Sequence, residues 1–320
     1  MPFPLLAAAG DAGGWQTLAQ YCINGLSAGS LYALIALGYT MVYGIIGLIN
    51  FAHGDLFMLG SFLALSLVGG LLAAGLDLST GGNAALAIGL LLIVAPLFCA
   101  ALNVAVDRIV YRPLRNAPKL APLVSAIGVS FVFMNVGLLW HGAADLNFPD
   151  LVSRANLLGD SAIQFTYKDL MVVGITAPAM IALTLFVKYT RLGRAMRATE
   201  QNPTAARLMG INVDGVIAVT FAIGGALAGA ASVIYALYIN TVGFQMGFQN
   251  GLYAFTAAVL GGIGNIPGAV LGGLSIGLIR SLGSGYIGEQ WTSALIFVIL
   301  IVVLIFRPSG LLGAKSGDKV

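Results

Sequence analysis

The chain has 320 residues, 59% of them hydrophobic and only 8% charged, with a formal net charge of +3. A soluble domain carries about 25% charged residues, so a water-facing surface is excluded for most of this chain and the bilayer is its expected solvent. In lipid the backbone must satisfy its own hydrogen bonds, which leaves helices or a closed barrel. The apolar runs are about 20 residues long, the length of a spanning helix, while barrel strands are near 10 and alternate. Composition therefore predicts an all-α polytopic membrane protein, with residues 1–320 forming one transmembrane domain.

The segment MPFPLLAAAGDAGGW has no Lys or Arg before its apolar part. It lacks the basic region of a cleaved signal, and the first span is expected to act as the insertion signal. A first apolar stretch runs from about Leu18 to Ile49, too long for one upright span. Gly38, Gly44 and Gly47 punctuate it, so a full span followed by a short broken helix is expected. NFAHGD (50–55) then interrupts the pattern. Further spans are expected at about Leu56–Leu76, Ala84–Val106, Leu120–Trp140, Leu170–Val187 and Gly215–Ile239. Phe248–Gly262 and Ala269–Gly285 form a shorter pair around a GNIPG turn (264–268), and Trp291–Phe306 closes the series. The expected total is about nine transmembrane helices, within a range of eight to ten.

Charge placement sets the orientation. Arg108, Arg112, Arg115 and Lys119 form one basic cluster, Lys188–Asp214 a second, and Arg307, Lys315 and Lys319 a third. The loop at 77–83 carries no such excess. The loop at 141–169 sets Asp145, Asp150, Asp160 and Asp169 against Arg154 and Lys168. The basic segments are expected together in the cytoplasm, with the N-terminus outside and the C-terminus cytoplasmic. Glycines four apart (Gly25/Gly29, Gly225/Gly229, Gly268/Gly272, Gly273/Gly277) predict close helix packing. GLINFAHG (47–54) and GGIGNIPG (261–268) share Gly, Ile and Gly, an echo compatible with an inverted repeat.

Catalytic chemistry finds little support. GLLGAKSG (310–317) fails as a P-loop because Ala314 intrudes before Lys315. His53 and His141 fall in different loops, predicted on opposite sides of the membrane, and no metal-ligand cluster or nucleophile elbow occurs. Cys22 and Cys99 sit in apolar runs and read as small hydrophobes. Asp107 ends a span and is expected at the interface. Asp55 reads as a helix N-terminal cap, and Arg280 either pairs with Glu289 or faces a water-filled route. Asn24, Ser27 and Ser30 drift slowly around one helical face. They either bond a neighbouring helix or line a path, and with Asn50, His53 and Asp55 they make up the candidate translocation lining.

The second basic cluster, KYTRLGRAMRATEQNPTAARLMGINVD (188–214), holds five of the fifteen basic residues between long apolar stretches. Arg191–Thr199 is helix-compatible. Asn202 is a good N-cap, Pro203 suits the first helical position, and Gly210 would stop a short helix over 203–209. Leu208 and Met209 would be free for docking. A helix-in-groove contact with a soluble partner and an interfacial linker on anionic lipid are both open.

Thr204-Ala205-Ala206, three residues and Gly210 resemble the EAA loop of bacterial ABC importer permeases, with Thr204 where that family has Glu. NGLSAGSLYALIALGYTMVYGIIGLINFAHGDLFMLG (24–60) is similar to the N-terminal signature of branched-chain amino acid permeases of LivH type. GRAMRATEQNPTAARLMGIN (193–212) and AVLGGIGNIPGAVLGG (258–273) extend the likeness, which covers about residues 15–313. The resemblance implies a permease for branched-chain or related amino acids in the inner membrane, driven by separate subunits. Urea and amide permeases share these motifs. Implied partners are a LivM-type second permease, two cytoplasmic ATP-binding subunits that hold the ATP and Mg, and a periplasmic binding protein. No cofactor and no nucleic acid are implied for this chain. The loop 188–214 becomes the coupling loop, with Glu200, Asn202, Pro203, Thr204, Ala205, Ala206, Arg207 and Gly210 facing the ATPases. An ATP-independent channel or carrier and a membrane enzyme are the competing classes.

Overall fold

The computed structural model describes residues 14–78, 81–115, 117–118, 120–159 and 161–313. The N-terminal segment, Lys119, Asp160, Ala314, Lys315 and Lys319 lie outside the described residues. In chain order the elements are α1 (Gly14–Ile46), α2 (Ala52–Ala73), α3 (Gly81–Val106), a π-helical turn (Asp107–Tyr111) and α4 (Arg112–Leu114). They continue with α5 (Leu120–His141), β1 (Leu146–Asn147), α6 (Tyr167–Tyr189), α7 (Arg191–Gln201) and α8 (Pro203–Leu208). The series ends with α9 (Val213–Ile239), β2 (Thr241–Val242), α10 (Met246–Gly261), α11 (Ile266–Tyr286) and α12 (Glu289–Phe306). Among the described residues, 8 helices are long and apolar enough to cross a membrane: α1, α2, α3 with its extension, α5, α6, α9, α11 and α12. The protein is an all-α polytopic membrane protein.

The expected break after the first span does not occur. α1 is one helix of 33 residues, about 50 Å long at 1.5 Å per residue. Every residue from Leu31 to Val42 is buried, and a helix apolar all round belongs inside a bundle. α11, α9, α10, α6, α7 and α2 surround it, so neighbours hold Gly38 and Gly44 in one continuous helix. Gly25 and Gly29 make this possible: an added Cβ would lie 2.9 Å from Leu278 Cα and 2.8 Å from Leu274 Cα. The backbones of α1 and α11 thus touch, as the small-residue spacing predicted. Gly225 and Gly229 do the same for α9 against α3, where the latter's Cβ would meet Ala95 O at 2.5 Å.

Two other expectations are corrected. NFAHGD does not interrupt the helices throughout, because His53, Gly54 and Asp55 already belong to α2. His141 likewise ends α5. The third span does not stop at Val106 but runs on through the π turn to Leu114. Asp107 is buried in the protein, 1% exposed, with its Oδ1 2.7 Å from Arg115 Nη2. A buried carboxylate needs such a partner.

At the opposite end of the bundle, the loop after α5 is ordered by pairing. β1 and β2 run antiparallel, Leu146 opposite Val242. Thr166 and Asp169 form a capping box on α6. Lys168 Nζ is 2.8 Å from Asp150 Oδ1 and also donates to Asn240 Oδ1, while Arg154 Nη2 reaches Asp150 Oδ2 at 2.7 Å.

Candidate functional site

The charged island folds into two short helices. Thr190 caps α7 by accepting from the Gly193 N–H at 3.0 Å. Along α7 exposure recurs every third residue: Arg191, Arg194 and Arg197 face out, while Gly193, Met196 and Thr199 are buried. Arg194 donates to Tyr189 O and Arg197 to Val187 O and Lys188 O. These arginines thus satisfy carbonyls at the C-terminus of α6, where cations are favoured. Glu200 turns back toward the bundle, close to Gly44 and Gly264.

Asn202 Oδ1 accepts from the backbone N–H groups of Thr204 and Ala205, both at 3.0 Å, and Pro203 fills the first helical position of α8. At the other end Gly210 has φ +82. Its N–H bonds Arg207 O, and the Ile211 N–H bonds Ala206 O, both at 3.0 Å. That pair is a Schellman closure, which a glycine in the left-handed region permits. Only Ala206 of α8 is buried. Pro203, Thr204, Ala205 and Arg207 are exposed, Leu208 is 84% exposed and Met209 82%. The sequence-derived helix is present as expected, ending at Leu208 with Met209 as its C-cap.

The base of this projection is tied down electrostatically. Asp214, in the first turn of α9, sits 2.5 Å from Arg115 Nη1, 3.3 Å from Arg112 Nη2 and 3.8 Å from Arg207 Nη2. Arg115 also holds Asp107. One network therefore links the π turn, α4, α8 and α9.

The candidate lining residues separate into two groups. Asn24 accepts from Gln20 at 2.9 Å, Ser27 Oγ donates to Asp169 Oδ1 at 2.8 Å, and Ser30 Oγ donates to Leu26 O. Of this first group only Ser27 joins α1 to α6; Asn24 and Ser30 bond within α1. Asn50, His53 and Asp55 form the second group, deep between α1, α2 and α10. Asn50 Nδ2 donates to Asn103 at 3.1 Å and its Oδ1 accepts from Tyr111 OH at 3.3 Å. His53 is fully buried, its ring 4.7 Å from that of Tyr39. Asp55 does not cap α2, whose N-cap is Phe51. Its Oδ2 accepts from Ser130 Oγ, and its Oδ1, without a hydrogen-bond partner, points at Gly247 of α10. Thr40 Oγ1 and both His53 ring nitrogens are also buried without a partner. Beside them a cleft is lined by Tyr39, Tyr43, Ile49, Phe255, Ala258 and Ile263.

Sequence reasoning missed the Tyr32, Tyr253 and Arg280 cluster as a unit. Arg280 does approach Glu289, at 3.6 Å, but also donates to Tyr32 OH and lies over the Tyr253 ring. Tyrosines do not stand out in an apolar run, so the sequence offers no signal for this grouping. Among the described residues no group of three or more His, Cys, Asp or Glu could hold a metal ion.

A long-helix bundle with a protruding capped helix at one end and buried polar side chains at its centre defines a membrane transport subunit of the permease class. A family model described as the permease component of branched-chain amino acid transport systems matches residues 21–304, and the chain belongs to that family. It is 42% identical to the high-affinity branched-chain amino acid transport system permease protein LivH of Salmonella typhimurium, over 94% of this chain and 97% of that one. It is 41% identical to BraD, a permease protein of the same kind of system from Pseudomonas aeruginosa, with the same coverage. A more distant likeness, 29% over 59% of this chain and 56% of the other, is to the autoinducer 2 import system permease protein LsrC of Escherichia coli. No solved structure matches. The chain is a transport permease whose long apolar helices make it a multi-pass membrane protein.

Proposed function

We propose that this chain is the membrane subunit of an ATP-binding cassette importer that carries branched-chain (Leu, Ile, Val) or related amino acids inward by alternating access. The observation that carries the coupling part is α8, a helix capped at both ends, anchored by one buried alanine, and ending in two large apolar side chains left almost fully exposed. A protruding apolar pair costs solvation unless something covers it, and a groove on a cytoplasmic ATPase is the occupant this reading assigns. Glu200, Asn202, Pro203, Thr204, Ala205, Ala206, Arg207 and Gly210 shape that contact, and Arg191, Arg194 and Arg197 face the lipid headgroups beside it. The partners are two such ATPases, which bind the ATP and Mg, a second related permease, and a periplasmic binding protein.

Nine spans are the reading when the 16-residue α10 is added to the eight longer helices. Residue pairings support it. Ala257 meets Gly272 and Gly261 meets Gly268, so α10 runs opposite to α11; Gly25 and Gly29 set α11 opposite to α1. With α8 and Arg307 cytoplasmic, the N-terminus is outside. Gly44, just before GLINFAHG, lies beside Gly264 of GGIGNIPG, so the two echoing turns sit close together in the fold. The second polar group, Asn50, His53 and Asp55, lines the inner part of the route, and of Asn24, Ser27 and Ser30 at its outer end, Ser27 ties α1 to α6.

The test is reconstitution with the cognate ATPases and binding protein in proteoliposomes. ATP-dependent accumulation of labelled leucine, isoleucine or valine is expected. Import of urea or short amides instead would replace the solute assignment, and uptake without ATP would overturn the importer class. Ala206→Asp and Gly210→Val should abolish uptake and weaken ATPase co-purification while the chain still inserts.

A further inference from the structure

Arg280 is a cation placed inside the bundle rather than at its lipid face. Its side chain is 22% exposed. Its Nη1 donates to Tyr32 OH on α1, a residue only 2% exposed. The guanidinium carbon lies 5.1 Å from the Tyr253 ring centre on α10 and 5.8 Å from that of Tyr32. The two rings meet edge to face at 5.7 Å, and Tyr253 OH is pinned 2.7 Å from Ser293 Oγ on α12. Three helices thus hold one guanidinium in a fixed orientation.

The counter-ion is poorly engaged. Glu289 Oε1 lies 3.6 Å from Arg280 Nη2, within ion-pair range but beyond a hydrogen bond, and the glutamate side chain is 60% exposed. A guanidinium offers five N–H donors in a flat fork that matches a carboxylate. Ionisable side chains inside spans face the bundle interior or a water-filled cavity and mark solute pathways. Further along α1 and α10 the aromatic wall continues with Tyr39 against Phe255, ring centres 6.1 Å apart.

We propose that the Arg280 guanidinium, framed by Tyr32 and Tyr253, receives the α-carboxylate of the transported amino acid, and that Glu289 is the internal counter-ion this carboxylate displaces. The assignment rests on the proposed import of aliphatic amino acids and adds the residue that recognises their common acid group. Tyr32 and Tyr253 orient the fork, and the loosely held Glu289 leaves when a better-placed carboxylate arrives.

Proteoliposomes holding the whole transporter, with its ATPases and loaded binding protein, test this through initial uptake of labelled leucine per assembled complex. Arg280→Gln should lower uptake at least about tenfold, the scale of a lost hydrogen bond to a charged group. Arg280→Lys, which keeps the charge without the fork, should recover part of it. Glu289→Gln should raise uptake at limiting solute, because it empties the site. A purely structural ion pair predicts the opposite for Glu289→Gln, namely lower thermal stability and lower uptake, and that outcome overturns the proposal even where Arg280→Gln fails to assemble. Arg280→Gln uptake within about twofold of wild type also overturns it, while leaving the importer assignment intact. A wild-type complex that imports no aliphatic amino acid overturns both together.

Discussion

Arg115 bridges two carboxylates in unlike surroundings, so its removal separates a buried ion pair from an exposed one within one network. Toward Asp214 it forms a 2.5 Å contact, but that carboxylate is 41% exposed. Toward Asp107 the distance is 2.7 Å, and that side chain is 2% exposed. In Arg115→Ala, Asp214 turns to water and to Arg112, a loss on the scale of an exposed pair, about 0–1 kcal/mol. Asp107 has no such escape. Removing one partner of a buried pair costs roughly 3–5 kcal/mol, because the remaining charge stays buried and uncompensated. The burial of Asp107 therefore decides the sum. Arg115→Ala should destabilise the protein by about 3–5 kcal/mol, Asp214→Asn by no more than about 1 kcal/mol. Adding Asp107→Asn to Arg115→Ala should recover much of the loss, since the orphaned charge is gone. Denaturant unfolding of the nanodisc-embedded permease, followed by tryptophan fluorescence, measures all three. Equal damage from Asp214→Asn and Arg115→Ala, or no recovery in the double variant, would refute the reasoning.

Three further outcomes follow from the same structure. Asn202→Ala removes the acceptor of two α8 N–H groups and should cost about 0.5–2 kcal/mol of local stability, read as faster amide exchange across 203–209 and reduced coupled uptake. Gly277→Leu drives a side chain into the backbone of Gly25 and Gly29, so the bundle should fail to reach the stable form, seen as aggregation on size-exclusion chromatography. Burial alone would raise the Asp150 carboxyl, but the hydrogen bonds and charges of Lys168 and Arg154 outweigh it and hold it below the ordinary 3.8. A depressed carboxylate stabilises the fold above its unfolded value and loses that contribution as pH falls through the folded one. Exchange protection of residues 146–150 should therefore be flat from about pH 5 to 8 and drop below about pH 4.

Helix α8 is legible in the sequence because its information is local. Asn202, Pro203 and Gly210 each carry a backbone instruction independent of tertiary context, and α8 follows them to within a residue. The small-residue pairs were legible for a related reason: glycine four apart allows backbone contact whatever the partner. The continuity of α1 is not legible in the sequence, since glycines at 38 and 44 are permissive and packing against six helices decides the matter, whereas at Gly47, φ +65, the helix has ended. Asp55 does lie in the first turn of α2, and Asp107 follows the end of α3, but a short-range rule could not supply their partners. Their partners, Ser130 and Arg115, come from other segments, and Gly247 approaches Asp55 only because α10 folds against α2. The tyrosine frame of Arg280 is of the same kind, drawing on residues 248 apart in sequence.

The proposed coupling requires that α8 be an ATPase dock. Leu208 and Met209 touch little of this chain, so replacing both with Asp should leave insertion and fold intact. The decisive measurement is co-purification of the ATPase subunits with the Leu208→Asp/Met209→Asp permease, alongside leucine uptake. Loss of both, with a normal amount of permease in the membrane, is the predicted result; unchanged co-purification and uptake would contradict it.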